Sequence, residues 1–290
     1  MSDSPFAAYQ ATLNSHGYGF QFAVLQAATA MRKSAVLASF PRSMWHPKAT
    51  EFPVESQGQS TRIDLLFEHS QCPAFLIVEC KRSNPATANW CFTRAPFVAH
   101  MTDANALVTE VVQRYESDMV LTDGTAISNC DHYHVGIEVS TGKKGDSSPK
   151  GKREIEDAVT QVLRGTFGFV NFLKSRPDFL QPGKPAFLLP MVCTTASLWV
   201  STGDLSKVDL GTGKAVFPPD SLKPAPWLLY QYHSSPGLRH SVPPSRPTPS
   251  EFGPVMHALY TRTVAIVSPS GLEEFLELSS ALRIGRPLVY

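Results

Sequence analysis

Two acidic residues and a lysine stand near the start of the chain at a spacing that suits metal-ion chemistry. Asp64 lies in the run Thr-Arg-Ile-Asp-Leu-Leu-Phe-Glu, and Glu79 and Lys81 end the run Pro-Ala-Phe-Leu-Ile-Val-Glu-Cys-Lys. Mg²⁺ is usually held by one or two carboxylates together with water and substrate phosphate. A lysine beside such a site supplies positive charge where negative charge develops during a reaction. The three residues are therefore candidates for cation-assisted chemistry on a phosphate.

The sequence around these residues predicts a β-hairpin that brings the two acids together. Two apolar, β-prone runs are separated by the polar residues 69–72, which is typical of antiparallel strands joined by a turn. When the hairpin is folded between residues 71 and 72, Asp64 lies directly opposite Glu79. Because side chains alternate between the faces of a strand, Lys81 shares a face with Glu79.

Facing carboxylates repel each other unless a cation lies between them. Directly opposed residues of an antiparallel pair have Cβ atoms about 5 Å apart. At that distance and an effective dielectric constant near 20, two negative charges repel by about 3 kcal/mol. A divalent cation bound by Asp64 and Glu79 reverses the sign of this energy. The alternative interpretation is a surface ion-pair network that joins Asp64 to Arg62 and Glu79 to Lys81.

The spacing of these residues resembles the signature of the PD-(D/E)XK, or restriction-endonuclease-like, nuclease superfamily. That spacing is Asp64, fourteen intervening residues and then Glu79-Cys80-Lys81. The resemblance implies that Asp64, Glu79 and the backbone carbonyl of Cys80 hold Mg²⁺ or Mn²⁺. It also implies that Lys81 assists the attacking water.

The start of the first helix departs from this family pattern at one position. Residues 16–21 are similar to the Gly-x-x-Phe-Glu start of the family's first helix, but Gln21 replaces the Glu. An amide is a weaker metal ligand than a carboxylate. Three alternatives follow: Asp64 and Glu79 suffice, or Glu55 on the preceding strand supplies a third carboxylate, or metal binding is weakened.

Candidate contacts to nucleic acid lie outside the hairpin. Gln113 is on a helix expected at 104–119, where relatives often carry a Gln, and either packs or reaches a phosphate. A basic loop after the strand expected at 132–139 contains Lys143, Lys144, Lys150, Lys152 and Arg153. Such cations supply the sequence-independent part of nucleic-acid binding, although a solvated charge run is the alternative interpretation.

Two other motifs lack a residue that their chemistry requires. His132 and His134 share one strand face but have no third metal ligand at a recognisable spacing, so they are interpreted as ordinary strand histidines. The stretch 209–214 looks like a phosphate loop, yet Val208 and Ala215 stand where that loop needs Gly and Ser or Thr. We therefore expect a turn there.

Composition limits the class of protein. The chain has 290 residues and a formal net charge of +1, so it has no overall electrostatic attraction to nucleic acid. It contains no apolar stretch of membrane-spanning length. Five scattered cysteines favour reduced thiols. These features predict a cytoplasmic protein without a membrane partner.

Alternating helical and strand patterns predict an α/β fold with a central mixed sheet flanked by helices and extended by extra C-terminal strands. The order helix, strand, hairpin, helix, strand is that of the three-layer restriction-endonuclease-like core. Helices are expected at 17–37, 104–119, 154–173 and 271–282, and further strands at 51–55, 132–139, 186–193, 197–200, 227–232 and 264–267. The predicted divisions are a polar lead-in at 1–16, a nuclease-like domain at 17–233, a proline-rich loop or linker at 234–254, and a C-terminal strand and helix at 255–290 packed on the same domain.

Together these features predict a Mg²⁺-dependent nuclease that hydrolyses phosphodiester bonds, with DNA as the expected substrate. By resemblance, restriction or anti-phage defence is the expected setting, and a homodimer is a candidate assembly. The alternative is a catalytically inactive nuclease-like module that binds nucleic acid or a protein partner, which Gln21 favours. A third interpretation is an α/β protein whose hairpin is purely structural.

Overall fold

Strands and helices combine in a mixed α/β fold around one large mixed β-sheet. The structure is a computed structural model. It describes residues 5–15, 17–33, 43–85, 88–94, 106–115, 118–128, 131–139, 153–180, 184–203, 205, 208–233 and 261–280. The helices in these ranges are α1 Pro5–Ser15, α2 Tyr18–Lys33, α3 Glu154–Ser175 and α4 Leu272–Ser280. The strands are β1 Trp45–Ser56, β2 Gln59–His69, β3 Ala74–Lys81, β4 Asn89–Thr93, β5 Ala106–Tyr115, β6 Asp118–Ser128, β7 His132–Tyr133, β8 Val135–Val139, β9 Pro185–Thr194, β10 Ser197–Ser201, β11 Leu222–Pro224, β12 Trp227–His233 and β13 Thr261–Val267.

The large sheet mixes antiparallel and parallel pairs. Its main order in the described part of the chain is β1-β2-β3-β9-β13-β12-β7. β1, β2 and β3 pair antiparallel, whereas β9 runs parallel to both β3 and β13. β5 and β6 form a further antiparallel pair that joins β9. A second described sheet has the order β11-β10-β4-β8.

Helices cover the large sheet on both faces. Phe75 and Ile77 of β3 belong to one apolar cluster with residues of α3. Leu76 and Val78, which alternate with them, belong to a second cluster with residues of α2 and α4. A strand that is buried on both faces needs apolar side chains at every position. Charged residues therefore enter β3 only at its end, where Glu79 begins the rim of the sheet.

Most of the long apolar patterns form the elements that the sequence predicts. The helices expected at 17–37, 154–173 and 271–282 are α2, α3 and α4, and the strands expected at 186–193, 227–232 and 264–267 are β9, β12 and β13. β13 lies between β9 and β12 in the large sheet, although it follows the proline-rich stretch. No helix among the described residues is long and apolar enough to cross a membrane.

One expectation about the elements is wrong. The helix expected at 104–119 is replaced by β5 and the first residues of β6, which pair antiparallel with each other. The strand expected at 197–200 is β10, and it pairs with β4 and β11 in the second sheet. Residues 5–15, within the expected lead-in at 1–16, form α1. Residues 234–254 lie outside the described part of the chain.

Helix α3 packs against β1 so closely that only glycine fits at Gly168. A Cβ atom there would lie 2.6 Å from Cγ2 of Val54. We expect Gly168→Ala to lower the free energy of unfolding by about 1–3 kcal/mol, the usual range for overpacking a core. Urea denaturation measures this change. Gly19→Ala is the matched control, because Gly19 of α2 has open space around it and should lose no stability; an equal loss in both variants would contradict the packing argument.

Candidate metal centre

The hairpin that carries the two acids pairs in the register predicted from the sequence. β2 and β3 pair from Glu68↔Phe75 to Leu65↔Val78, and the pairing ends there although both strands are fully described. Asp64 and Glu79 are the next positions in this register. The two acids therefore stand at the point where the neighbouring strands separate.

The Asp64 carboxylate takes the place of a missing ladder hydrogen bond. The Cys80 N–H donates a hydrogen bond to Asp64 Oδ2 at 2.7 Å. Cys80 lies two residues beyond Val78, the last residue of β3 that pairs with β2. The N–H and C=O of one strand residue point to the same side, so the Cys80 carbonyl faces the same gap. Burial raises the pKa of Asp64 to about 6, although the Cys80 hydrogen bond opposes this shift. The gap thus presents a carboxylate and a carbonyl oxygen.

The Glu79 carboxyl is the least favourably placed charge in the hairpin. Its residue is only 5 % exposed. Burial raises the pKa of Glu79 to about 9, and the charge of Asp64 adds to the increase. No group in the described ranges donates a hydrogen bond to this carboxylate. Such a group is stable only when it is protonated or when a cation lies next to it.

The two acids are electrostatically coupled. The charge of Asp64 adds to the effect of burial and raises the pKa of Glu79 further. Two neighbouring carboxyl groups release their protons in two steps that belong to the pair, so one proton is retained more tightly than in an isolated carboxyl group.

Lys81 provides the opposing positive charge. It lowers the pKa of both Asp64 and Glu79. Its main chain is fixed to the adjacent strand, because Lys81 pairs with Thr194 and its carbonyl accepts a hydrogen bond from the Thr195 N–H at 3.1 Å. The lysine is therefore anchored beside the acids by β9.

A third carboxylate, Glu51, lies in the same cluster and was not expected from the sequence. Its charge raises the pKa of both Asp64 and Glu79. Gln21 Nε2 donates to Glu51 Oε1 at 3.0 Å and to the Asp64 carbonyl at 2.7 Å. Arg62, which the alternative interpretation pairs with Asp64, contacts Glu51 Oε2 at 3.5 Å.

Glu55 does not take the place proposed for it. It is exposed and pairs with Ser60 near the β1–β2 turn. Four residues along an extended strand correspond to about 13 Å, so Glu55 is far from the position opposite Asp64. The sequence contains a signal that places Glu51 near Asp64. Folding β1 and β2 about the Gln57-Gly58 turn brings Glu51 opposite Asp64 in the register of the flanking pairs.

The expected nucleic-acid contacts do not gather at this site in the described structure. Gln113 lies on a strand, β5, where its main chain pairs with Pro185 of β9. Arg153 is exposed and forms an ion pair with Glu156 at 3.0 Å. The four lysines of the basic loop, which are Lys143, Lys144, Lys150 and Lys152, lie outside the described residues.

The histidines and the glycine-rich stretch have structural explanations. His134 Nε2 lies 3.1 Å from Gln231 Oε1, and His132 Nδ1 lies 3.3 Å from Gln231 Nε2, so both rings contact one amide. Asp209 Oδ1 accepts hydrogen bonds from the N–H and the hydroxyl of Thr212, each at 2.7 Å. The stretch 209–214 therefore begins with the turn that its sequence predicts.

The donor set around the gap suits a hard cation in chemical type. It consists of carboxylate and carbonyl oxygens, which Mg²⁺ and Mn²⁺ prefer. A search of the described residues for three or more His, Cys, Asp or Glu side chains arranged to hold a metal ion finds no such group. The fit therefore depends on the carboxylates of Asp64 and Glu79 with the carbonyl of Cys80.

Comparison of the chain with protein-family models, with curated proteins and with solved structures finds no match in any of the three.

Proposed function

We propose that the protein is a Mg²⁺-dependent nuclease that hydrolyses phosphodiester bonds in DNA, on a three-layer fold of the restriction-endonuclease-like type. The observation that carries the proposal is the position of Glu79. Glu79 is almost fully buried, its carboxyl group interacts electrostatically with Asp64, and it receives no hydrogen bond within the described structure. A bound cation compensates both the burial of this charge and the repulsion from Asp64.

Each residue of the hairpin has a role in this proposal. Asp64 and Glu79 would hold the cation, and the carbonyl of Cys80 would add a third oxygen. When bound, the ion polarises a phosphoryl oxygen and lowers the pKa of a water molecule. The Cys80 N–H fixes the orientation of the Asp64 carboxylate before any ligand arrives. Such preorganisation reduces the cost of binding.

Lys81 acts on the substrate in this proposal. Its ammonium group would hydrogen-bond the attacking water and neutralise negative charge that develops on the phosphoryl oxygens. Both effects are larger in the transition state than in the ground state, so they raise kcat. Mn²⁺ is expected to replace Mg²⁺, because both ions accept oxygen ligands.

The choice of DNA as the substrate, and of the cytoplasm as the location, follows the resemblance and the composition. The chain has a net charge of only +1, so binding to a polyanion requires a local basic segment. The cations of residues 143–153 are the proposed contacts to the phosphate backbone. The four described cysteines, Cys72, Cys80, Cys91 and Cys193, are free thiols, in keeping with a reducing compartment.

Cleavage assays with a lysine variant test this proposal. We expect the wild-type protein to cleave DNA with Mg²⁺ or Mn²⁺ and not with EDTA, and Lys81→Met to lower kcat by about 10²–10³-fold, as for loss of one preorganised charge. Lys48→Met is the matched control. Its ammonium group pairs with Glu68 on the adjacent strand, so its activity should equal that of the wild type. Equal activity of the wild type and Lys81→Met would remove Lys81 from the mechanism.

The inactive-module alternative makes a different prediction in the same assays. Gln21 replaces a carboxylate at the start of the helix, which favours this alternative. DNA binding without cleavage at any divalent-cation concentration would support it. Neither binding nor cleavage would leave the hairpin with a structural role alone.

A further inference from the structure

We infer that Glu51 is the third carboxylate of the proposed metal centre and that Gln21 is the residue that positions it. The inference rests on the proposed function and deepens it. It differs from the three alternatives that the sequence left open for the metal ligands. The additional carboxylate comes from the preceding strand, β1, but from Glu51 and not from Glu55.

The backbone of β1 directs Glu51 towards the gap. The pairs Thr50↔Leu65 and Phe52↔Ile63 flank it, so Glu51 lies at the position opposite Asp64. Glu51 has a φ of 50°, in the left-handed region that a residue with a side chain rarely adopts. Such a conformation persists only when the surroundings hold it, and it is concentrated at functional sites.

Gln21 holds this arrangement through a single amide nitrogen. The two hydrogen atoms of Nε2 are donated to Glu51 Oε1 and to the Asp64 carbonyl. Gln21 is only 5 % exposed, whereas the Glu51 side chain is one-third exposed, so both bonds are partly buried. A glutamate at this position would repel Glu51 and could not donate either bond. The substitution of Gln for Glu on the helix is therefore compatible with a carboxylate on the facing strand.

The Oε2 atom of Glu51 has one long, exposed contact that a ligand could displace. Oε1 accepts the Gln21 bond, whereas Oε2 has the contact with Arg62 at 3.5 Å. The Arg62 side chain is 67 % exposed, so it can move into solvent at little cost.

An independent observation points to a ligand between these groups. Glu79 is 95 % removed from solvent, receives no hydrogen bond from the described residues, and interacts electrostatically with both Asp64 and Glu51. The charges of Asp64 and Glu51 both act on Glu79, and Lys81 is the cation that opposes them there. A divalent cation would compensate this negative charge around a buried carboxyl group.

Mn²⁺ binding to the full chain tests the inference without relying on activity. Free Mn²⁺ is measured by its electron paramagnetic resonance signal during titration of the wild type, Glu51→Gln and Glu55→Gln. We expect Glu51→Gln to weaken Mn²⁺ binding by about 10–100-fold. Glu55→Gln, on the same strand but exposed near the turn, should bind as the wild type does. Unfolding midpoints in EDTA confirm that each variant is folded.

The positioning role of Gln21 is tested by a double-mutant cycle on the same binding constant. If Gln21 acts through Glu51, Gln21→Leu weakens Mn²⁺ binding in the wild type but not in the Glu51→Gln background. A residue that only supports the fold would weaken binding by the same factor in both backgrounds. Equal factors would therefore overturn the assignment of Gln21.

The outcomes separate this inference from the proposed function. Mn²⁺ binding that is lost in Glu79→Gln and unchanged in Glu51→Gln would overturn the role of Glu51 and leave the proposed metal centre intact. No Mn²⁺ binding by the wild type would overturn the proposed function itself, and with it the role of Glu51.

Discussion

Asp64→Asn is expected to abolish DNA cleavage and, in EDTA near neutral pH, to stabilise the protein. Asparagine keeps an oxygen that can accept the Cys80 N–H bond, so the local backbone should not change. Loss of the charged ligand removes several kcal/mol of transition-state stabilisation, which corresponds to a fall of about 10³-fold or more in kcat. The same change removes the charge that raises the pKa of Glu79.

Activity and stability should therefore change in opposite directions in this variant. DNA cleavage under single-turnover conditions measures the first effect, and thermal unfolding in EDTA measures the second. Asp64→Ala is the matched control, because alanine leaves the Cys80 N–H without its acceptor and should cost about 1–3 kcal/mol. Cleavage by Asp64→Asn at the wild-type rate would exclude this carboxylate from catalysis.

The register of the acidic hairpin could be predicted because its pattern allows only one alignment. A shift by one residue would move Leu65 and Val78 to the opposite face of the sheet, and both are fully buried. The apolar run after Pro73 has the length of a strand and ends in charge. These local signals were sufficient to place Asp64 next to Glu79.

The position of Glu51 could also be predicted from a local turn signal. Glu51 is opposite Asp64 in register because of the turn at Gln57-Gly58, and Gly58 has the positive φ of 72° that such a turn uses. The left-handed φ of Glu51 has no sequence signature, because a glutamate rarely adopts this conformation.

The error at 104–119 has a different physical cause. Leu107, Val108, Val111 and Val112 recur at a spacing that fits a helix, yet three of the four are β-branched. Such residues fit strands at least as well. Pairing with β9 decides the outcome, and that partner lies more than 70 residues further along the chain. Periodicity within a short window contains no information about such a partner.

Glu79→Gln is expected to remove most of the loss of stability that the wild type shows as pH rises in EDTA. Burial raises the pKa of Glu79 from 4.5 to about 9 in the folded state. The folded state therefore holds a proton that the unfolded state has lost. Stability falls as pH rises through the range between these two values. Glutamine resembles the protonated form and does not titrate.

The difference between wild type and variant should depend on pH and should reverse when a cation is added. Near pH 5 in EDTA the two proteins should have similar free energies of unfolding, whereas near pH 8 the variant should be more stable by at least about 1 kcal/mol, since one pKa unit corresponds to about 1.4 kcal/mol. Saturating Mg²⁺ stabilises only a protein that binds it. At pH 8 it should therefore raise the stability of the wild type more than that of Glu79→Gln.

Urea denaturation at both pH values measures these differences. Glu55→Gln, which changes an exposed carboxylate on the same sheet, is the control. A variant with the same pH dependence as the wild type would mean that Glu79 ionises normally, and the electrostatic argument for a cation at this gap would then fail.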